Sequence, residues 1–233
     1  MQLPLNIHLS DVNRFSNFLP GQNEELVTSL EDNLADLTSD STPGVDIIFI
    51  WGGPGTGKTH LLQAACRKAR DLEIESVYLP LGQPGVDQPG ILDDLYSLKL
   101  VCIDNIQVIA GQPAWEAALF SLYENIRGRG LLIVASDRAP SESGFNLPDL
   151  VSRFQRGLVY GLKSLDHDQR MQVLRQRAQL RGIAISDEAA AFIEKHFPRD
   201  MPSLVRLLEQ LDHESLVQQR KITVPFIKSL LQI

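Results

Sequence analysis

Residues 52 to 59 read Gly-Gly-Pro-Gly-Thr-Gly-Lys-Thr, which fills every fixed position of a GxxxxGK[ST] phosphate loop. The chemistry of such a run is anion capture. Gly52, Gly55 and Gly57 let the main chain curl around a phosphate without Cβ clashes, so that amide hydrogens converge on its oxygens. Lys58 supplies the neutralising cation and the Thr59 hydroxyl reaches Mg²⁺; a nucleoside di- or triphosphate is the ligand that this set requires. Two elements must position the loop. Asp46 to Trp51 (DIIFIW) reads as a buried strand leading into it. The helix that opens at Lys58, with Leu61, Leu62, Ala65 and Ala69 on one face, aims its positive end at the same anion.

The other half of the site belongs on a second buried strand. Leu98 to Asp104 (LKLVCID) is an apolar run that ends in a carboxylate, so Asp104 is placed to hold Mg²⁺ through its water shell. Nucleotide-hydrolysing sites of this build put a second acid one or two residues later to polarise water. Here the neighbour is Asn105, which orients a water but takes no proton from it. The expectation is a chain that binds nucleotide and hydrolyses it weakly or not at all on its own.

Composition narrows the class. At 233 residues, 43% hydrophobic and 22% charged, the chain is long enough for one large domain with a small companion and too apolar for disorder. A net charge of −7 at pH 7 disfavours a nonspecific grip on DNA, which needs a concentrated cationic surface. Cys66 and Cys102 fall on the helix after the phosphate loop and inside the second strand, where reduced structural thiols are expected. Neither they nor the five histidines form a pair at metal spacing. With no leader-like N-terminus and no apolar run of membrane length, a cytoplasmic protein without membrane association is expected.

Short apolar runs recur at 46–51, 76–81, 100–104, 131–136 and 159–162, separated by helical patterns such as Trp115, Leu119, Leu122 and Ile126. Alternation of this kind predicts an α/β fold, a parallel sheet with helices on both faces, over residues 11–165. Residues 39–44 and 82–90 read as loops. Beyond Leu165 only helical stripes continue: Met171, Leu174 and Ala178; Ala189, Phe192 and Ile193; then Leu204, Leu207, Leu208 and Leu211. A last helix is expected near Pro225 with Thr223 as its cap. Residues 166–233 are therefore expected to form a small helical lid.

A phosphate-loop sheet followed by a helical lid is the layout of AAA+ ATPases, and further residues resemble the branch that contains the bacterial replication initiator DnaA. Phe15-Ser-Asn-Phe18-Leu19-Pro-Gly21-Gln-Asn23 resembles the segment that lines the adenine pocket in that family. Ala135 to Pro140 resembles its sensor 1 strand end, with Asp137 at the polar position, and Leu147 to Phe154 the helix that carries its arginine finger, Arg153. The resemblance implies adenine contacts from Phe18, Leu19 and Asn23. It implies phosphate contacts along Gly55, Thr56, Gly57, Lys58, Thr59 and His60, with ADP or ATP as ligand. A simpler role for Arg153, an ion pair with Asp149 one helical turn earlier, could coexist with the finger.

The chain lacks matches to the N-terminal interaction domain and the DNA-binding helix-turn-helix of DnaA, so no dedicated DNA-binding domain is expected. Glu209 to Asp212, Gln219 to Lys228 and Leu231 are similar to the closing segments of the Hda branch, the regulatory inactivators of DnaA. Its sensor 2 arginine is missing, since the aligned residue is Pro202, with Arg199 and Arg206 the nearest cations. Gln2-Leu3-Pro4-Leu5-Asn6-Ile7 resembles the peptide, here within residues 1–10, with which that branch binds the DNA polymerase III β sliding clamp. Gln2 supplies a hydrogen-bonding amide, and Leu3, Leu5 and Ile7 apolar anchors on an extended segment. The resemblance thus implies a clamp-associated, ADP-bound negative regulator of replication initiation. It would supply Arg153 in trans to ATP held by DnaA, and self-association remains open. The alternatives are a nucleotide-binding adaptor and a helicase-loader-type ATPase.

Overall fold

The computed structural model describes residues 13–39, 42–183, 185–198, 200–218 and 222–231. Two compact units meet in sequence between Lys163 and Ser164. The first holds a parallel sheet of β1 (Ile47–Trp51), β2 (Ser76–Pro80), β3 (Leu100–Asp104), β4 (Leu131–Ser136) and β5 (Leu158–Gly161), in the order β2-β3-β4-β1-β5. All five fall on the apolar runs read from the sequence. Around them lie α1 (Glu24–Asp36), α2 (Lys58–Asp71), α3 (Pro113–Ile126) and α4 (Pro148–Arg156).

The period of two within each strand sorts side chains between two cores. Ile47, Phe49, Val101, Ile103, Leu132 and Val134 share one face with residues of α3 and α4. Their alternate neighbours Ile48, Ile50, Leu100, Cys102 and Ile133 share the other with α1 and α2. Asp104 keeps the register of Leu100 and Cys102, so it emerges on the face covered by α2. The strand order does the rest. Inserting β4 between β1 and β3 brings together the ends of three strands, at Gly52, Asp104 and Ser136, along the carboxyl edge where α/β sheets bind ligands. The Gly52 amide donates to Ser136 O at 3.3 Å, which ties the start of the phosphate loop to the end of β4.

Helix α1 is an addition to the elements expected from sequence; its Leu26, Leu30 and Leu34, with Leu37 just beyond, are all buried against the sheet. The two cysteines are free and buried. Burial, and then hydrogen bonding with Cys66, pushes the Cys102 thiol well above its ordinary value.

The second unit contains α5 (His167–Leu180), α6 (Asp187–His196), α7 (Met201–Gln218) and α8 (Val224–Leu231). Its core draws Leu174 and Ala178 from α5, Ala189 and Ile193 from α6, Leu204 and Leu208 from α7, and Ile227 from α8. Asp166 and Gln169 form a reciprocal capping box on α5. Thr223 Oγ1 accepts from the Phe226 amide at 3.4 Å, as expected of a cap there. Among the described residues no helix is long and apolar enough to cross a membrane.

Candidate functional site

The phosphate loop follows β1 and ends in Gly57, the N-cap of α2, with φ of +105°. A Cβ at residue 57 would lie 2.7 Å from Phe18 Cε2, so glycine is required there by backbone conformation and by packing together. Lys58 Nζ donates to Gly52 O at 2.5 Å and to Gly53 O at 3.0 Å, which keeps the ammonium on the loop. Burial lowers the Lys58 pKa, and the charges of Asp104 and Asp137 oppose that shift. Both carboxylates thus act on the lysine electrostatically.

Thr59 Oγ1 donates to Asp104 Oδ2 at 2.6 Å. This pair joins the first turn of α2 to the end of β3 and gathers hard oxygen donors, the donor chemistry that suits Mg²⁺. Tyr78 O–H donates to the same Asp104 oxygen at 2.9 Å, while the Asn105 amide donates to Oδ1 at 3.0 Å. Asp104 is 1% exposed, so these bonds fix a carboxylate that water scarcely reaches. Burial and the neighbouring Asp104 charge push the Tyr78 phenol far above its usual value, so it stays a donor. Asn105 has φ of +60°, a left-handed conformation that asparagine tolerates.

The segment before α1 lies against the start of α2. The Phe18 ring lies 5.3 Å from that of His60, centroid to centroid, and against Gly57. His60 Nε2 lies 2.8 Å from Arg14 O and must be the donor, because a carbonyl only accepts. Leu19 is half-buried and Thr56 buried. For Asn23 the structure shows main-chain contacts that the motif did not name. Its Nδ2 donates to Pro20 O and Lys163 O at 2.9 and 3.1 Å, and its Oδ1 accepts from the Lys163 amide at 2.8 Å. With both ends of its amide bonded to main chain, Asn23 fixes the segment beside Lys163.

Arg153 lies elsewhere. Phe154 is fully buried, with its ring 5.1 Å from Phe49 and 5.4 Å from Phe145, and it anchors α4 across β1. Gly157, just after α4, approaches Ile47 at the beginning of that strand so closely that a Cβ would lie 2.5 Å from Ile47 O. Arg153 therefore lines a cavity of about 320 Å³ with Gly44, Asp46, Tyr123, Arg127 and Arg156, at the opposite end of β1 from the phosphate loop. The simpler role offered for it, an ion pair with Asp149, is not what the described residues show. Arg153 Nε lies 3.0 Å from Glu124 Oε1 on α3, in place of a pair with Asp149. Asp149 sits exposed in the first turn of α4, where the helix amide end favours it, whereas Arg153 turns towards the α3 side with the buried Phe154.

Residues 9–79 match the model of the bacterial DnaA ATPase domain, and residues 166–231 match the model of the Hda lid domain. Together they cover more than half of the chain. It belongs to the Hda-like branch of the DnaA family of AAA+ proteins. Solved structures agree on the fold. Domain III of the Thermotoga maritima replication initiation protein DnaA is 21% identical with a TM-score of 0.77, matching 97% of this chain and 98% of its own. DnaA of Aquifex aeolicus bound to AMPPCP is 23% identical at a TM-score of 0.66, with 91% and 69% covered. A mutant of T. maritima RuvB is 21% identical at 0.69, with 94% and 71% covered.

Within this Hda-like lid, Pro202 occupies the second position of α7, where a helix accepts proline and where the ring offers no cation. Arg206 donates from Nη2 to Ser203 Oγ at 3.0 Å and is exposed. Arg199 lies outside the described residues, as do Gln2, Leu3, Leu5 and Ile7. Glu116 is a further residue of structural consequence that no motif marks. This 2%-exposed carboxylate accepts from the amides of Gly111, Asn146 and Leu147 at 2.7 to 3.1 Å. It thereby joins the turn that follows β3 and Asn105 to the entry of the Arg153 helix. Its only signal in the sequence is an acid set among the apolar residues of the stripe, between Trp115 and Leu119.

Proposed function

We propose that this DnaA-related replication regulator binds an adenine nucleotide, ADP in its working state, and stimulates hydrolysis of ATP held by DnaA. Arg153 acts in trans as the arginine finger. The observation that carries this reading is the separation of Arg153 from the chain's own phosphate loop. The loop leaves β1 after Trp51, and Arg153 faces the strand's beginning at Ile47, about 13 Å away at the rise of a parallel strand. A guanidinium there serves a neighbour's phosphates, not its own.

The chain's own site supports a binding role. Lys58 and the loop amides suit a diphosphate, and Thr59 with Asp104 suits the Mg²⁺ that would accompany it and offset phosphate charge. Asn105 supplies no base for water. Phe18 offers an apolar face beside Gly57, and the charges of Asp104 and then Asp137 oppose the lowering of the Lys58 pKa by burial. DnaA of A. aeolicus bound to AMPPCP supports adenine as the base. Gln2, Leu3, Leu5 and Ile7 recruit the β sliding clamp in this reading, which places the regulator on DNA.

Reconstitution of DnaA·ATP, loaded clamp, DNA and this chain tests the proposal by phosphate release. The expected result is acceleration on the order of 10³-fold over DnaA alone, the lower range of a finger supplied in trans. Clamp binding without acceleration would leave a nucleotide-bound adaptor in its place. Lys58→Ala should weaken ADP binding at least about tenfold by calorimetry, since Lys58 is the cation built into the loop. Unchanged affinity would remove the loop from the assignment.

A further inference from the structure

Arg153 is not a loose side chain. Only 24% of it is exposed, although it belongs to the rim of an open cavity. Two consecutive residues of α3 hold it. Glu124 Oε1 sits 3.0 Å from Nε, the inner nitrogen of the guanidinium, and the Tyr123 ring lies under Cζ at 5.9 Å from its centroid. Nε itself is buried without an aligned hydrogen bond, so the attraction to Glu124 is one of charge. The Arg153 side chain makes no hydrogen bond among the described residues. Arg127, the other cation nearest Tyr123, is drawn to Asp46 at 3.8 Å, and Asp46 also accepts from the Gly128 amide. Glu124 is therefore the carboxylate that acts on Arg153, while Asp46 is occupied.

We infer that Glu124, backed by the Tyr123 ring, is a positioning residue for Arg153: it holds the guanidinium by its inner edge and keeps the terminal fork turned outward for phosphate oxygens of a partner's nucleotide. The inference rests on the in-trans reading of Arg153. An unrestrained arginine has about 2 kcal/mol of rotamer entropy to lose when it engages a phosphate. A finger set in place before the partner arrives has lost part of that freedom already, and preorganised charge is what stabilises a transferring phosphoryl group. The carboxylate meets the fork at Nε, and the two terminal nitrogens that make the bidentate contact stay with the guanidinium's outer end. α3 thus does for the finger what Asp104 does for Thr59.

The test measures stimulated hydrolysis of DnaA-bound ATP with clamp and DNA, as a function of the concentration of this chain. Glu124→Gln keeps the shape and removes the charge. It is expected to lower the maximal stimulated rate about tenfold while the half-saturating concentration and the melting temperature stay put. Glu124→Asp, which keeps the charge on a shorter stem, should recover part of the loss. In an Arg153→Ala background Glu124→Gln should have no further effect, because the residue acts only through the arginine. A maximal rate that is unchanged or raised by Glu124→Gln, with Arg153→Ala inactive, overturns the inference and leaves the finger in place. A shift in the half-saturating concentration alone overturns it equally, because Glu124 would then be a docking residue. Full stimulation by Arg153→Ala would instead remove the in-trans reading and this inference with it.

Discussion

Arg153→Ala is expected to retain ADP and clamp binding while losing stimulation of DnaA's ATP hydrolysis by a factor of roughly 10² or more. The size follows from what an arginine finger does. It places a full charge and a planar fork against oxygens whose negative charge grows in the transition state, within a site from which water is excluded. Arg153→Lys should recover little, because a compact ammonium cannot span two phosphate oxygens. The substitution is structurally mild. The core under α4 is made by Leu150 and Phe154, both fully buried, and neither loses a neighbour in that core when the guanidinium is removed. A melting temperature close to that of the parent chain is therefore expected, so that loss of rate reports chemistry and not folding. Full stimulation by the alanine variant would refute the finger and favour the adaptor reading.

Why this arginine was legible in the sequence, and its partner was not, illustrates how far pattern reaches. The motif around Leu147 to Phe154 named the residue. The rule for residues four apart on one helix then offered Asp149, because that rule sees one helix at a time. The partner comes from α3, twenty-nine residues upstream in sequence, and only the packing of α3 beside α4 brings Glu124 to Arg153. Glu116 escaped for the same reason. An acid in the first turn of a helix reads as a solvated charge at the positive end of a dipole, whereas its three amide donors come from two separate loops. Asn23 was found by its motif while its bonds to Lys163 were not, since a side-chain amide that could read a base can equally hold main chain, and Lys163 lies 140 residues away.

The phosphate site was more fully legible because its parts are local or periodic. Gly52 to Thr59 is contiguous, and the strand and helix that flank it follow from apolar periods of two and about four. Asp104 and Thr59 could each be assigned to Mg²⁺ in advance, one from the end of a buried strand and the other from the phosphate loop, whereas the hydrogen bond between them comes from the fold. The order β2-β3-β4-β1-β5 was not legible, since five similar apolar runs carry no label for their neighbours. That order decides which strand ends converge, and it alone brings Asp137 near Lys58. Helix α1 was legible and missed. Leu26, Leu30, Leu34 and Leu37 recur at helical spacing, but the stripe follows directly on the adenine segment and carries no motif of its own.

The second large effect is expected at the N-terminal peptide. Replacing Gln2, Leu3 and Leu5 together by alanine should abolish binding to the β sliding clamp. These residues lie outside the described structure, so the argument is one of sequence chemistry. In an extended segment alternate side chains point the same way, which gives Leu3, Leu5 and Ile7 a common apolar face with Gln2 at its edge, and Pro4 discourages a helix that would break that alternation. A peptide of this length makes few contacts, and its affinity rests on two or three anchors, so losing them together leaves no residual site. ADP affinity should be unchanged, because residues 2–5 precede the adenine segment in sequence and belong neither to it nor to the phosphate loop. The melting temperature should move little for the same reason. Stimulation of DnaA's ATP hydrolysis should fall when clamp and DNA are needed to bring the partners together. At high concentrations of DnaA and this chain it should return, since Arg153 is intact and recruitment only raises the local concentration. A variant that binds the clamp normally would show that the anchor lies elsewhere, and a large fall in melting temperature would assign the hexapeptide to the fold.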